Sequence, residues 1–278
     1  MAMRSVSDRA NPVVVNGLRC VIASFVLGSL VVATGRLGSL LALPSGVVVA
    51  IVASGVLGQA IGDAAFVRSA KLIGASRALP LSGISPLLTL GLALALLGEP
   101  VTLLAAFGAL LVMAGVFLLA FPVGPLHHLR HLAATADRGG VVMAFAAACC
   151  YTASTLILRQ GLMGMDVDLV AANLVRMLTA AVLLSGVELG HSGFHRPAGL
   201  GRRALIVMLL AGTLSAFSSS MYLASVYYAG AAKAAVLTST SPLFGLPLSL
   251  VFLKERFNAR VLQGTVLSVV GIWLVLWR

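Results

Sequence analysis

The chain contains one stretch twice, and that duplication limits its architecture more than any other feature. Gly74 to Ala120 reads GASRALPLSGISPLLTLGLALALLGEPVTLLAAFGALLVMAGVFLLA, and Gly230 to Leu276 reads GAAKAAVLTSTSPLFGLPLSLVFLKERFNARVLQGTVLSVVGIWLVL. Shifted by 156 residues they align without a gap, with 16 of 47 positions identical. Leucine matches are cheap in apolar segments. The weight rests on Gly74/Gly230, Ser85-Pro86-Leu87/Ser241-Pro242-Leu243, Glu99/Glu255, Gly108/Gly264 and Gly115/Gly271. A second match lies upstream: Asn16-Gly17-Leu18-Arg19 pairs with Asn173-Leu174-Val175-Arg176 at a shift of 157. A repeat of this length in an apolar chain points to a duplicated membrane unit.

Composition supports lipid as the solvent. Hydrophobic residues make up 60% of the chain and charged residues 10%, with a mean hydropathy of +1.07. Soluble domains are roughly half apolar and about a quarter charged. The net charge of +11 falls mainly in short connections between apolar runs. There it sets orientation and meets anionic head groups, so nucleic acid is not the expected partner. Cys20, Cys149 and Cys150 lie inside apolar runs without ligand spacing and read as inert buried thiols.

Nine runs are apolar for about the 20 residues that a membrane helix needs. They fall near 12–34, 46–68, 75–97, 101–121, 139–161, 168–189, 204–228, 232–253 and 258–277. The expected fold is therefore an all-α integral membrane protein. A first repeat of four helices spans 1–121, a linker covers 122–138, and a second repeat of five helices spans 139–278. The partner of run 139–161 is expected before Met1: either the first repeat lacks its first helix, or its start lies upstream of Met1. With nine spans, thirteen basic residues fall on one side and four on the other, which favours an N-terminus inside and a C-terminus outside.

These motifs resemble the EamA branch of the drug/metabolite transporter superfamily. The carrying residues are Gly74-Ala75-Ser76-Arg77-Ala78, Ser85-Pro86-Leu87, Leu97-Gly98-Glu99-Pro100-Val101-Thr102, Gly108 and Gly115, together with their second-copy counterparts. The resemblance implies two inverted five-helix repeats and secondary transport, chiefly export, of amino acids, metabolites or drug-like solutes. It implies a multi-pass protein of the bacterial inner membrane. The chain departs from the pattern in its missing first helix and in Lys254, which stands where the first copy has Gly98.

Several residues are candidates for the solute or ion pathway. Asp63 is the acid set well inside an apolar run, where a carboxylate is costly and suits proton or ion coupling. The bland alternative pairs it with Arg68 or Lys71. Arg19 and Arg176, at matching positions, suit an anionic group such as a carboxylate; snorkelling is the alternative. Ser85-Pro86 and Ser241-Pro242 interrupt matching helices, a pointer to a transporter site, against a fixed packing kink. Ser215, Ser218, Ser219 and Tyr222 share one helix face, which could line a path or only pack closely. Tyr227 and Tyr228 fit interface anchors, and Asn16 and Asn173 fit interhelical hydrogen bonds. Glu99 and Glu255 read as helix-boundary residues. His127/His131 and His191/His195 have i, i+4 spacing but read as solvated loops rather than metal sites.

No cofactor is expected. The sequence shows no zinc-protease motif, nucleophile–base pair or phosphate-binding loop, so a lipid-modifying enzyme ranks below transport. A truncated non-transporting paralogue is a third reading. A small-molecule solute and the bilayer are the expected partners, and self-association into a homo-oligomer is compatible with them.

Overall fold

The structure, a computed structural model, describes residues 12–120, 137–192, 202–238 and 259–277. Among them the secondary structure is helical, with no strand. That follows from lipid as solvent, because a helix satisfies its backbone groups within one segment. The helices are α1 Pro12–Ala33, α2 Leu37–Leu41, α3 Ser45–Ser54, a π-helical segment Gly55–Gly62, and α4 Asp63–Ile73. Then come α5 Ala75–Ser82, α6 Ser85–Leu97, α7 Leu103–Ala120, α8 Arg138–Leu162 and α9 Leu169–Ser192. The chain continues through α10 Arg202–Ala229, α11 Ala231–Thr238 and α12 Ala259–Leu276.

Among the described residues, five helical stretches are long and apolar enough to cross a bilayer: Asn16–Ala33, Ser45–Ile73, Arg138–Leu162, Leu169–Val187 and Leu205–Ala229. Ser85–Leu97, Leu103–Gly115 and Gln263–Val275 are shorter apolar helices. Phe25, Leu41 and Leu103 are 75%, 85% and 91% exposed, as lipid-facing side chains are. Two of the expected runs differ in detail. The run 46–68 extends to Ile73 and includes the π-helical turns. The run 75–97 divides into α5 and α6 at Gly83–Ile84. Most of run 232–253 and of the linker lies outside the described residues, as does Glu255.

By packing, the chain forms two compact units: Met1–Ala64 with Ile157–Tyr227, and Ala65–Leu156 with Tyr228–Arg278. Each draws on both sequence halves. In the first unit α9 is the hub, packing on α1, α2, α3 and the π-helical segment. Ala23, Leu27 and Val31 of α1 are buried with Leu174 and Met177 of α9, and Cys20 is buried with Ala180, Ala181 and Leu184. A Cβ added at Gly17 would meet Leu184, and one at Gly28 would meet Leu174. Positions thus rise along α1 as they fall along α9, so the two helices run antiparallel.

In the second unit the dominant contact joins α7 and α12. A Cβ on Gly108 would lie 2.6 Å from the Gly271 carbonyl oxygen, and one on Gly271 would lie 2.6 Å from the Gly108 oxygen. A Cβ on Gly115 would collide with Ser268 Oγ and with the Gly264 carbonyl. Only glycine permits this approach, and such contacts carry helix association where lipid removes the hydrophobic drive. Shifting by 156 residues turns Gly108 into Gly264 and Gly271 into Gly115. The Gly108–Gly271 contact therefore maps onto the Gly264–Gly115 contact. That reciprocity belongs to a twofold axis crossing two antiparallel helices, the relation expected of inverted copies.

Glu99 completes this unit. Its Oε1 accepts from Ala231 N at 2.9 Å and its Oε2 from Ala232 N at 3.0 Å, so the carboxylate caps the start of α11. Gly230 before that helix has φ +88°, and an added Cβ would meet the Glu99 carboxylate. The helix-boundary role expected of Glu99 has this physical form: an anion on free N–H groups at a helix start.

Candidate functional site

The polar side chains of the first unit gather where α1, α9, α10 and the π-helical segment meet. Asp63 follows the last π-helical residue, and its amide donates to Gly58 O and Ala60 O. Its Oδ2 lies 3.3 Å from Arg19 Nη2 on α1 and accepts from Asn16 Nδ2 at 3.3 Å. Asn16 also donates to the Gln59 carbonyl at 3.3 Å. The pairing of Asp63 with Arg68 or Lys71 is thereby corrected. Arg68 is five residues on, about 140° around an α-helix from Asp63; both it and Lys71 are exposed. The side chains of Arg19 and Asp63 are 30% and 27% exposed, so the pair sits at the edge of the buried zone.

Arg176, the repeat equivalent of Arg19, sits differently. It is 5% exposed. Its Nε donates to Ser54 Oγ at 3.2 Å, and its Cζ stands 5.3 Å from the centre of the Tyr222 ring. Ser54 is the last residue of α3, and Gly55 opens the π-helical turns directly against the Arg176 backbone: an added Cβ would lie 3.0 Å from its carbonyl oxygen. One turn earlier, Asn173 Nδ2 donates to Ser219 Oγ at 2.8 Å and to Ser220 Oγ at 2.9 Å. Both Asn residues of the Asn–x–x–Arg pair thus make interhelical hydrogen bonds.

Three buried polar atoms here lack a hydrogen-bond partner: Arg19 Nε, Gln59 Oε1 and Asn173 Oδ1. Leaving such a group unpaired costs about 1–3 kcal/mol. All three belong to residues of the same seam. π-helical turns recur at functional sites.

The other expected residues are placed as follows. Tyr222 and Ser219 reach the seam. Ser218 is exposed, and its hydroxyl donates to the Ser215 carbonyl at 3.3 Å. Ser85 and Pro86 belong to the second unit, where Thr89 and Thr152 hydroxyls donate to the Ser85 carbonyl at 2.8 and 3.1 Å. Pro86 stands in the first turn of α6 rather than inside a helix, where its missing N–H is one the helix would leave free anyway. Ser241 and Pro242 lie outside the described residues. Tyr227 donates to Met165 O at 2.9 Å, while Tyr228 is 78% exposed, as an interface anchor is. His191 lies within α9 rather than in a loop; His127, His131 and His195 lie outside the described residues.

Sequence reasoning missed Ser54, Gln59 and Asp168. Asp168 Oδ1 caps α9 by accepting from Val170 N and Ala171 N at 2.9 and 3.2 Å, and Asp168 Oδ2 lies 3.3 Å from Arg36 Nη1. An Asp directly before an apolar run is an N-cap signal. A separate groove of about 1090 Å³ opens on α1 and α9, lined by Val21, Phe25, Gly28, Leu178 and Val182 among others. It is apolar and includes none of the seam residues.

Comparison with known proteins places this arrangement. No curated protein sequence matches the chain. A crystal structure of another protein aligns with a TM-score of 0.74 at 18% identity, covering 98% of this chain and 90% of that one; the likeness extends to the fold. The model of the EamA-like transporter family matches residues 1–121 and 138–277. Matched through both halves, the chain belongs to the EamA-like transporter family of membrane proteins.

Proposed function

We propose that the chain is a secondary transporter that exports a small solute by alternating access, with the seam of the first unit as part of the solute path. The observation that carries this is the seam itself. A chain that faces lipid keeps an ion pair, a second guanidinium and three unpartnered polar atoms together, with the two arginines on repeat-equivalent positions. Intramembrane ionisable groups are retained for function by default. In this reading Arg19, Asp63, Arg176 and Tyr222 contact the solute or coupling ion, and Ser85-Pro86 forms a hinge between α5 and α6. Ser218, Ser241 and Pro242 are kept as pathway residues on their sequence positions. The repeats 1–121 and 139–278, joined through 122–138, are the units that exchange access.

Asp63 is the coupling candidate. It is held by Arg19 and Asn16, so a proton on Asp63 would weaken its hold on the guanidinium and free both for the solute. The N-terminus is inside and the C-terminus outside a bacterial inner membrane, on the distribution of basic residues.

Counterflow in proteoliposomes tests the transport reading. Saturable exchange of an unchanged labelled solute, absent from protein-free vesicles, is expected. Release of a chemically altered product without exchange would overturn it. Asp63→Asn is expected to abolish stimulation by a pH gradient; full stimulation in this variant would remove the coupling role. A phosphatase fused after Arg278 is expected to be active, and an inactive fusion would reverse the orientation.

A further inference from the structure

The two equivalent arginines of the seam are not equivalently neutralised. Two guanidiniums, Arg19 and Arg176, share one carboxylate, Asp63, and Asp63 sits on Arg19 at 3.3 Å. No ion pair joins Asp63 to Arg176. Among the described residues no carboxylate stands within ion-pair distance of Arg176. Glu188, on the same helix, is twelve residues on, about 18 Å along the axis. The groups that do touch Arg176 are neutral: the Ser54 hydroxyl and the Tyr222 ring. A buried cation with neutral partners alone is costly unless an anion joins it.

Resting on the transport reading above, we infer that the transported solute is an organic anion of net charge −1, whose carboxylate docks on Arg176 beside Tyr222. The geometry fits that class. Only Nε of Arg176 is used by a protein acceptor, which leaves the Nη edge of the fork for the paired oxygens of a carboxylate. The Tyr222 ring face backs the guanidinium and supplies an apolar wall for the rest of the solute. Asn173 Oδ1, unpartnered and one turn away, is an acceptor for a donor on the same molecule. A zwitterion would bring its own ammonium and leave the surplus charge in place. While Asp63 is ionised it holds Arg19, so Arg176, with no carboxylate of its own at ion-pair distance, is the primary anchor. Access to Arg176 requires the helix beside it to shift, and the π-helical turns opening at Gly55 pack there.

The test is thermal stabilisation of the purified full chain in detergent by benzoate, benzamide, phenylglycine, chloride and phosphate. Benzoate is expected to raise the melting temperature saturably. Benzamide, chloride and phosphate are expected to give no shift, and phenylglycine to bind at least ten-fold more weakly. Arg176→Gln is expected to lose the benzoate shift, and Arg176→Lys to weaken binding by about 10–100-fold, the worth of charge-assisted hydrogen bonds. Arg68→Gln, at an exposed position, is expected to bind like the parent. No benzoate shift, an equal shift with benzamide or phenylglycine, or an unchanged shift in Arg176→Gln would each overturn the inference. An equal shift with chloride would assign the site to an inorganic anion and overturn it as well. Should Arg176→Gln fail to fold, the ligand series on the parent and on Tyr222→Leu still decides: Tyr222→Leu is expected to weaken benzoate binding, and undiminished binding would count against the site. Benzoate binding without counterflow would overturn transport while leaving the anion site. Counterflow of neutral or zwitterionic solutes without benzoate binding would overturn the anion site while leaving transport.

Discussion

The pairs α1/α9 and α7/α12 have the same construction and opposite contents. In each, repeat-equivalent helices run antiparallel, one from either sequence half. The α7/α12 crossing is made by glycines at backbone contact. The α1/α9 pair carries Asn16, Arg19, Asn173 and Arg176, and its closest glycine approaches are ordinary side-chain contacts. One duplicated geometry thus supports a tight glycine joint in one unit and a polar seam in the other. The difference teaches that inverted symmetry sets which helices pair, while the side chains at the crossing decide whether the pair serves as scaffold or site.

The largest effect is expected at the tight joint. Gly115→Leu puts a side chain where Ser268 and the Gly264 carbonyl already stand, and overpacking of this kind costs about 1–3 kcal/mol or more. Loss of monodisperse protein in detergent is expected. Gly28→Leu, at a position where the nearest atom is 3.9 Å away, is expected to fold. Equal tolerance at both positions would break the contrast between joint and seam.

Within the seam, a double-mutant cycle on Arg19→Gln and Asp63→Asn is expected to show coupling of about 0.5–1 kcal/mol in thermal stability. The modest size reflects side chains near a third exposed. A cycle pairing Arg176→Gln with Asp63→Asn should give a smaller coupling. The reverse order would mean that Asp63 belongs to Arg176. Glu99→Gln is expected to destabilise by about 1 kcal/mol, the usual worth of a helix cap, read as a lower melting temperature with transport retained. Gly91→Ala, with no neighbour near its added Cβ, should stay within about 0.5 kcal/mol of the parent.

The scaffold was more legible than the site. Apolar run length marks spans because lipid forces the backbone into helices, and the Gly108/Gly115 and Gly264/Gly271 pairs marked the close-packed faces. The partners of individual charges were not legible. Arg68 and Lys71 lie near Asp63 in sequence, yet Asp63 pairs with Arg19, 44 residues away, because helix rotation turns its side chain elsewhere. The π-helical turns around Gly55, Gly58 and Gly62 left no periodic trace in a run that is apolar on all sides. Nor could local pattern reveal that the compact units cut across the two repeats, since packing partners come from distant segments.

The central claim is that the first unit's seam carries the solute, with Arg176 as its anchor. Counterflow of labelled benzoate in proteoliposomes tests it most directly, comparing the parent chain, Arg176→Gln and Gly91→Ala at matched melting temperatures. Flux in Arg176→Gln reduced at least ten-fold, with Gly91→Ala at the parental rate, is the expected result. Parental flux in a folded Arg176→Gln would contradict the account.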